Sequence, residues 1–236
     1  MKKYYEHAGI EIYHGDCREI VPTLGAFASL ITDPVWPNAS VPLAGSDRPL
    51  ELLSETLAVT TAERVVIHLG CDSDPRFTAA VPRRWPFIRT CWLRYARPSY
   101  KGRILIGADV AYVFGAMPIA RPGATVLPGE VCHVATTQGF HKRSKAKGHP
   151  CPRRETHVEW LVRWFGGASV LDPFCGSGTT LLACKNQGVP AVGVEIEERF
   201  AEIAARRLSQ EVFDFTDPAT REPGERERDR ETGRKA

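Results

Sequence analysis

A doubly wound α/β fold with a mostly parallel sheet is predicted by three observations. Short apolar runs alternate with helix-patterned segments from about residue 10 to residue 209, as successive βαβ units require. One such run, Val170-Leu171-Asp172, leads through Pro173-Phe174-Cys175-Gly176-Ser177-Gly178 into a helix-patterned segment. A second run, Val192-Gly193-Val194-Glu195, ends in a carboxylate 17 residues after Gly178. Sheets of this kind bind ligands at the carboxyl ends of their strands.

The elements follow in order. Ile10–His14, Phe27–Thr32, Arg64–His68, Ala168–Leu171 and Pro190–Glu195 are short apolar or β-branched runs that end near turn or acidic residues. Phe87–Tyr95 and Asp109–Gly115 read as a further pair of strands, with a loop around Pro98–Gly102. Helices are expected over Pro49–Thr60 and Gly178–Lys185, the latter stopped by Asn186-Gln187-Gly188. Val158, Leu161, Val162 and Phe165 mark one helix face, and Phe200, Ile203, Ala204 and Leu208 mark another. Residues 214–236 are poor in apolar side chains and mix both signs of charge. That tail is expected to be disordered, which leaves one domain over residues 1–213.

Composition narrows the class. A chain of 236 residues, 43% hydrophobic and 25% charged, suits a soluble domain with a sizeable core. Its longest apolar runs, such as Val110–Phe114, cannot cross a bilayer. The N-terminus has no apolar signal segment, and seven cysteines lack any Cys-x-x-Cys pair. Reduced thiols, a cytoplasmic location, no membrane and no metal site are therefore expected. The net charge is only +3, but residues 75–108 carry eight Lys or Arg and residues 131–154 carry six, with no acid in either stretch. Acid-free basic stretches suit a phosphate-binding face.

The glycine-rich turn admits three nucleotide readings. A phosphate-binding P-loop needs Gly-Lys-Ser/Thr, whereas here Gly178 precedes Thr179-Thr180. A dinucleotide fingerprint needs a third glycine where Leu181 stands. Asp172 and Glu195 also add negative charge, which suits an ammonium and a sulfonium better than a pyrophosphate. S-adenosyl-L-methionine is thus the expected cofactor, with Glu195 placed to bind the ribose diol. Asp172, Phe174, Gly176, Gly178 and Thr179 form the rest of this half of the site.

The segment Leu30-Ile31-Thr32-Asp33-Pro34-Val35-Trp36 ends an apolar strand in an acid, a proline and an aromatic. An exocyclic base amine is a weak nucleophile because its lone pair is delocalised into the ring. Accepting hydrogen bonds from both of its N–H groups localises that pair. Asp33 offers a carboxylate and Pro34 its carbonyl, while Trp36 can stack on a base flipped out of the helix.

Taken together, these motifs resemble the beta class of amino-methyltransferases, which act on adenine N6 or cytosine N4 of DNA. That family places Asp-Pro-Pro-Tyr (or Phe, or Trp) before its Phe-x-Gly-x-Gly loop, a circularly permuted order that Asp33–Trp36 and Phe174–Gly178 match. Gly15-Asp16-Cys17 corresponds to the family's contact with the adenine of the cofactor. His149-Pro150-Cys151-Pro152-Arg153-Arg154 corresponds to His-Pro-x-x-Lys-Pro, which adds His149, Pro150 and Arg153 to the cofactor set. Val35 departs from the second proline, and Arg153 and Arg154 from the Lys-Pro pair. The resemblance covers about residues 11–209 and implies a Rossmann-like methyltransferase sheet of seven strands whose last strand is antiparallel. It also implies a short target-recognition insert over about 117–148. There Lys142, Arg143, Lys145 and Lys147 form a basic loop suited to DNA backbone contact.

The reading is a site-specific DNA methyltransferase acting on double-stranded DNA, with adenine N6 the favoured target. Cytosine N4, an RNA adenine target, or an inactive nucleic-acid-binding subunit are the alternatives. A homodimer and a paired restriction nuclease both stay open.

Overall fold

Alternating side chains on each strand build the molecule, because the parallel strands are covered on both faces. The computed structural model describes residues 2–36, 43–120, 125–132 and 153–210. The basic loop at Lys142–Lys147, the His149-Pro150 pair and the 214–236 tail lie outside the described residues.

Strand β1 (Tyr5–His7) forms a hairpin with β2 (Ile10–His14). The short helix α1 (Cys17–Ile20) leads to β3 (Phe27–Thr32), and α2 (Pro49–Ala58) leads to β4 (Ala62–Gly70). Two long strands follow, β5 (Phe87–Lys101) and β6 (Ile104–Gly115), and then the short β7 (Glu130–Cys132). Helix α3 (Glu155–Leu161) runs on into one π-helical turn before β8 (Val170–Asp172). Helix α4 (Thr179–Asn186), β9 (Ala191–Glu195) and α5 (Glu198–Leu208) complete the order.

The strands form one sheet in the order β1-β2-β9-β8-β3-β4-β6-β5-β7. From β2 to β4 the neighbours are parallel, and β6 runs antiparallel to both β4 and β5. Among the described residues the sheet has nine strands, where seven were expected. Strand β1 is a hairpin return on one edge. Strand β7 lies within the expected recognition insert and pairs in parallel with β5 on the other edge. The chain winds outward in opposite directions from β8 and β3, so the crevice between their carboxyl ends is the switch point where such sheets hold ligands.

Successive residues face different layers. Ile31 and Val66 join the core under α3, α4 and α5, with Leu161, Phe165, Leu181 and Leu208. Leu30, Val65 and Ile67 join the core under α1 and α2, with Ile20, Leu53 and Leu57. The two predicted helix faces are realised with one exchange: Ala201 is buried in α5, whereas Ile203 is only half-buried. Buried Arg64 donates to the carbonyls of Phe165 and Ala116 and so satisfies the end of the π turn.

The expected loop at Pro98–Gly102 is instead strand. Pairing of β5 with β6 shifts register between Arg94 and Ser99, which accommodates Pro98 and its missing N–H. The hairpin closes only at Gly102-Arg103, with Gly102 at φ 59. Beyond Asp109, the partner of Gly70 at the end of β4, this hairpin projects about 15–20 Å past the carboxyl edge. Among the described residues, no helix is long and apolar enough to cross a membrane.

Candidate active site

Strands β3 and β8 lie side by side, and the two motifs meet where they end. Thr32 Oγ1 donates to Asp172 Oδ1 at 2.7 Å, joining residues 140 positions apart. The Phe174 amide donates to the same oxygen at 3.2 Å. Burial outweighs these bonds and pushes the Asp172 carboxyl up to about 6. Such a group binds its proton more tightly when folded, so its ionisation lowers stability as pH rises from about 4 and most fully above about 6. Asp172→Asn should therefore gain up to about 3 kcal/mol relative to the parent between pH 4 and pH 7. Denaturant unfolding at the two pH values reads this difference, and an unchanged gap would remove the buried charge.

Glu195 ends β9 beside this pair and is 8% exposed. Its Oε2 accepts from the Gly176 amide and its Oε1 from the Glu197 amide, at 2.8 and 2.9 Å. Burial raises its carboxyl above the ordinary value. A carboxylate has about four acceptor positions, so both oxygens keep capacity for a diol. Gly178 has φ 77, and a Cβ there would stand 2.8 Å from that of Ala204. The packing of helix α5 against the loop therefore by itself requires glycine at this position. Arg207 of α5 secures the same loop by donating to the Ser177 carbonyl while pairing with Glu155 at 2.9 Å.

At the end of β2, Asp16 caps α1 by accepting from the Arg18 amide. The Arg18 side chain also forks onto both Asp16 oxygens, which holds that carboxyl below its usual range. Cys17 is buried against Thr56, and burial pushes its thiol up to about 11. One cleft is lined by Asp16, Cys17, Asp33, Pro34, Trp36, Arg153, Asp172, Phe174, Gly176, Thr179 and Glu195. Every described residue assigned to the site except Gly178 therefore lines one cleft. The cleft has a polar, acid-lined end at Glu195 and Asp172 and an aromatic end at Trp36.

Arg153 was expected near the cofactor; it lines the same cleft, and its guanidinium is paired with Asp33. Its Nε donates to Asp33 Oδ2 and its Nη2 to Oδ1, both at 2.6 Å. The same guanidinium lies 4.8 Å from the Trp36 ring centre and 3.3 Å from Asp109 Oδ1. Tyr95 donates to that oxygen of Asp109 at 2.6 Å. His68 Nε2 and His157 Nδ1 face the other oxygen at 3.4 and 3.8 Å. Burial opposes ionisation of Asp109, but the two histidines and Arg153 hold its carboxyl well below the usual range. Burial lowers His68 below its ordinary value, against the pull of Asp109.

Tyr95, Asp109, His68 and His157 were not identified from the sequence. Their signal is a polar side chain inside an apolar strand or helix face, as with Asp109 in Ile104–Gly115 and His68 in Ala62–Gly70. A buried charge needs a partner, but the pattern does not say which.

An α/β sheet in which the strand leading into Asp33-Pro34 lies beside the strand of the glycine loop has a Rossmann-like methyltransferase fold. Residues 87–206 match the family model described as DNA methylase, of the N6/N4 type, and the chain belongs to that family. It is 52% identical over 88 residues to the type II methyltransferase M.ScaI of Streptomyces caespitosus, covering 36% of this chain and 29% of that protein. It is 35% identical over 71 residues to the type II methyltransferase M.HpaI of Haemophilus parainfluenzae, covering 29% and 23%. These matches span about a quarter to a third of the relatives' length.

Two solved structures share the fold. M1.HpyAVI in complex with SAM superposes with a TM-score of 0.65 at 22% identity, covering 85% of this chain and 100% of that one. The cytosine-N4-specific PvuII DNA methyltransferase gives 0.63 at 14% identity, covering 87% and 88%.

Proposed function

We propose that this chain transfers the methyl group of S-adenosyl-L-methionine to an exocyclic amine of double-stranded DNA, with adenine N6 as the target. The observation that carries this reading is a single cleft joining Asp33-Pro34 and Trp36 to the loop held by Glu195. When bound, the cofactor supplies an electrophilic methyl on a sulfonium. Glu195 has acceptor capacity for its ribose diol, while Asp172 and the Gly176 loop border the same cavity.

The remaining chemistry belongs to the chain. Asp33 and the Pro34 carbonyl accept the two amine hydrogens, and Trp36 provides a stacking face for the extruded base. Asp33 need not be a strong base, because an amine that has gained a methyl is acidic and sheds its proton readily. Asp before the proline favours adenine over cytosine N4, and Val35 leaves the acid, carbonyl and aromatic in place. Incubation with duplex DNA, followed by nucleoside mass spectrometry, tests the reading. N6-methyladenine supports it, N4-methylcytosine reassigns the base, and no methylated nucleoside would overturn it in favour of an inactive binding subunit. RNA run in parallel tests the other polymer.

Lys142, Arg143, Lys145 and Lys147 are the proposed phosphate contacts. Replacing Lys145 and Lys147 by Ala should weaken all duplexes about equally and shallow the log–log salt dependence by up to about two units. An unchanged slope would move the DNA face to the β5–β6 hairpin, where Tyr100 is 76% exposed near Arg97 and Arg103. One cation of that acid-free stretch is already matched in space, because Arg94 pairs with Glu130 of β7 at 2.9 Å.

A further inference from the structure

Asp33 accepts hydrogen bonds, and the Arg153 guanidinium beside it only donates. Together they present an acceptor and a donor side by side at the mouth of the base pocket, 2.6 Å apart. Adenine carries the complementary edge, an amine donor next to the unprotonated ring nitrogen N1. Cytosine carries the same edge with N4 and N3.

We propose that Arg153 is a specificity-determining residue that reads the ring nitrogen adjacent to the target amine. The inference rests on the function proposed above and deepens it. The guanidinium closes on both oxygens of Asp33, so the carboxylate is paired in a site where its side chain is 21% exposed. When the base enters, one amine N–H replaces one guanidinium N–H on an Asp33 oxygen. The displaced guanidinium N–H passes to the ring nitrogen. Asp33 still accepts two hydrogen bonds and the guanidinium still donates two to Asp33 and the base together, and no proton changes owner. Asp109 makes the exchange feasible, because it holds Arg153 from behind at 3.3 Å and is itself anchored by Tyr95 at 2.6 Å. The guanidinium lies over the Trp36 ring, 4.8 Å from its centre, so a base that stacks on that ring brings its edge within reach of it.

The test compares duplexes carrying adenine or 1-deazaadenine at the methylated position, which nucleoside mass spectrometry first identifies. Removing N1 leaves a guanidinium N–H without its acceptor, and the parent should lose about 10–100-fold in kcat/KM. Arg153→Met should be slow on adenine and treat both bases alike, which separates loss of the acceptor from any change in amine reactivity. Arg153→Lys keeps the charge without the planar fork and should lose most of the discrimination. The parent measurement stands even where a variant fails to fold. Equal rates of the parent on both bases, or undiminished discrimination in Arg153→Met, would overturn the inference alone. No transfer to unmodified DNA would overturn the proposed function and the inference with it. Where the methylated base is cytosine, 3-deazacytosine is the matching probe.

Discussion

Asp33→Ala is expected to lower methyl transfer by at least about 10³-fold while cofactor affinity changes only a few-fold. The size follows from losing a charged acceptor that acts where the amine lone pair must be localised, comparable to removing an oxyanion-hole donor. The separation of effects follows from position. Asp33 is held by Arg153 on the Trp36 side of the cleft, whereas the cofactor half is organised by Glu195 and its backbone amides. The substitution also removes the bidentate partner of a guanidinium that is 10% exposed. Thermal unfolding should therefore be recorded beside calorimetry with S-adenosyl-L-methionine. Preserved turnover at saturating cofactor, together with collapsed cofactor binding, would move Asp33 out of the amine site.

Glu195→Ala should have the opposite signature: cofactor affinity falls by about 1.5–3 kcal/mol and the maximal rate changes less. Two costs contribute. A charge-assisted bond to the diol is lost, and the amides of Gly176 and Glu197 lose the acceptor that fixes the glycine loop. Glu195→Gln retains one carbonyl oxygen for one amide and should fall between the parent and the alanine variant. An unaltered dissociation constant in both would take Glu195 out of the ribose site and leave it as a loop fastener.

The parts legible in the sequence are those specified locally. Strands β2 and β3 begin and end where their apolar runs do, because buried parallel strands admit few polar residues. The two motifs were legible because turn chemistry and acid placement are short-range. What escaped depends on neighbours distant in the chain. Pro98 reads as a loop residue, yet a register shift absorbs it into a long hairpin. Gly178 reads as part of the cofactor loop, and the neighbour that would clash with a side chain there is Ala204 of a later helix. Arg153 reads as a cofactor contact by its motif position, but its partners Asp33 and Asp109 lie 120 and 44 residues away. Tyr95, His68 and His157 become meaningful only after β4, β5, β6 and α3 converge on Asp109.

The place of β9 in the sheet sets the order in which a growing chain can become an enzyme. Strand β2 reaches the rest of the sheet only through β9, which separates it from β8, and its residues pair with others synthesised 181 positions later, Ile10 with Ala191. The N-terminal strands must wait on the ribosome while the more local β4, β5 and β6 can already pair, since long-range pairing comes late and slowly. Asp33 through Trp36 precede Glu195 by more than 150 residues, and their cleft has no second wall until Glu195 has emerged. A product truncated before residue 191 would carry the whole Asp33–Trp36 motif without the wall that Glu195 supplies.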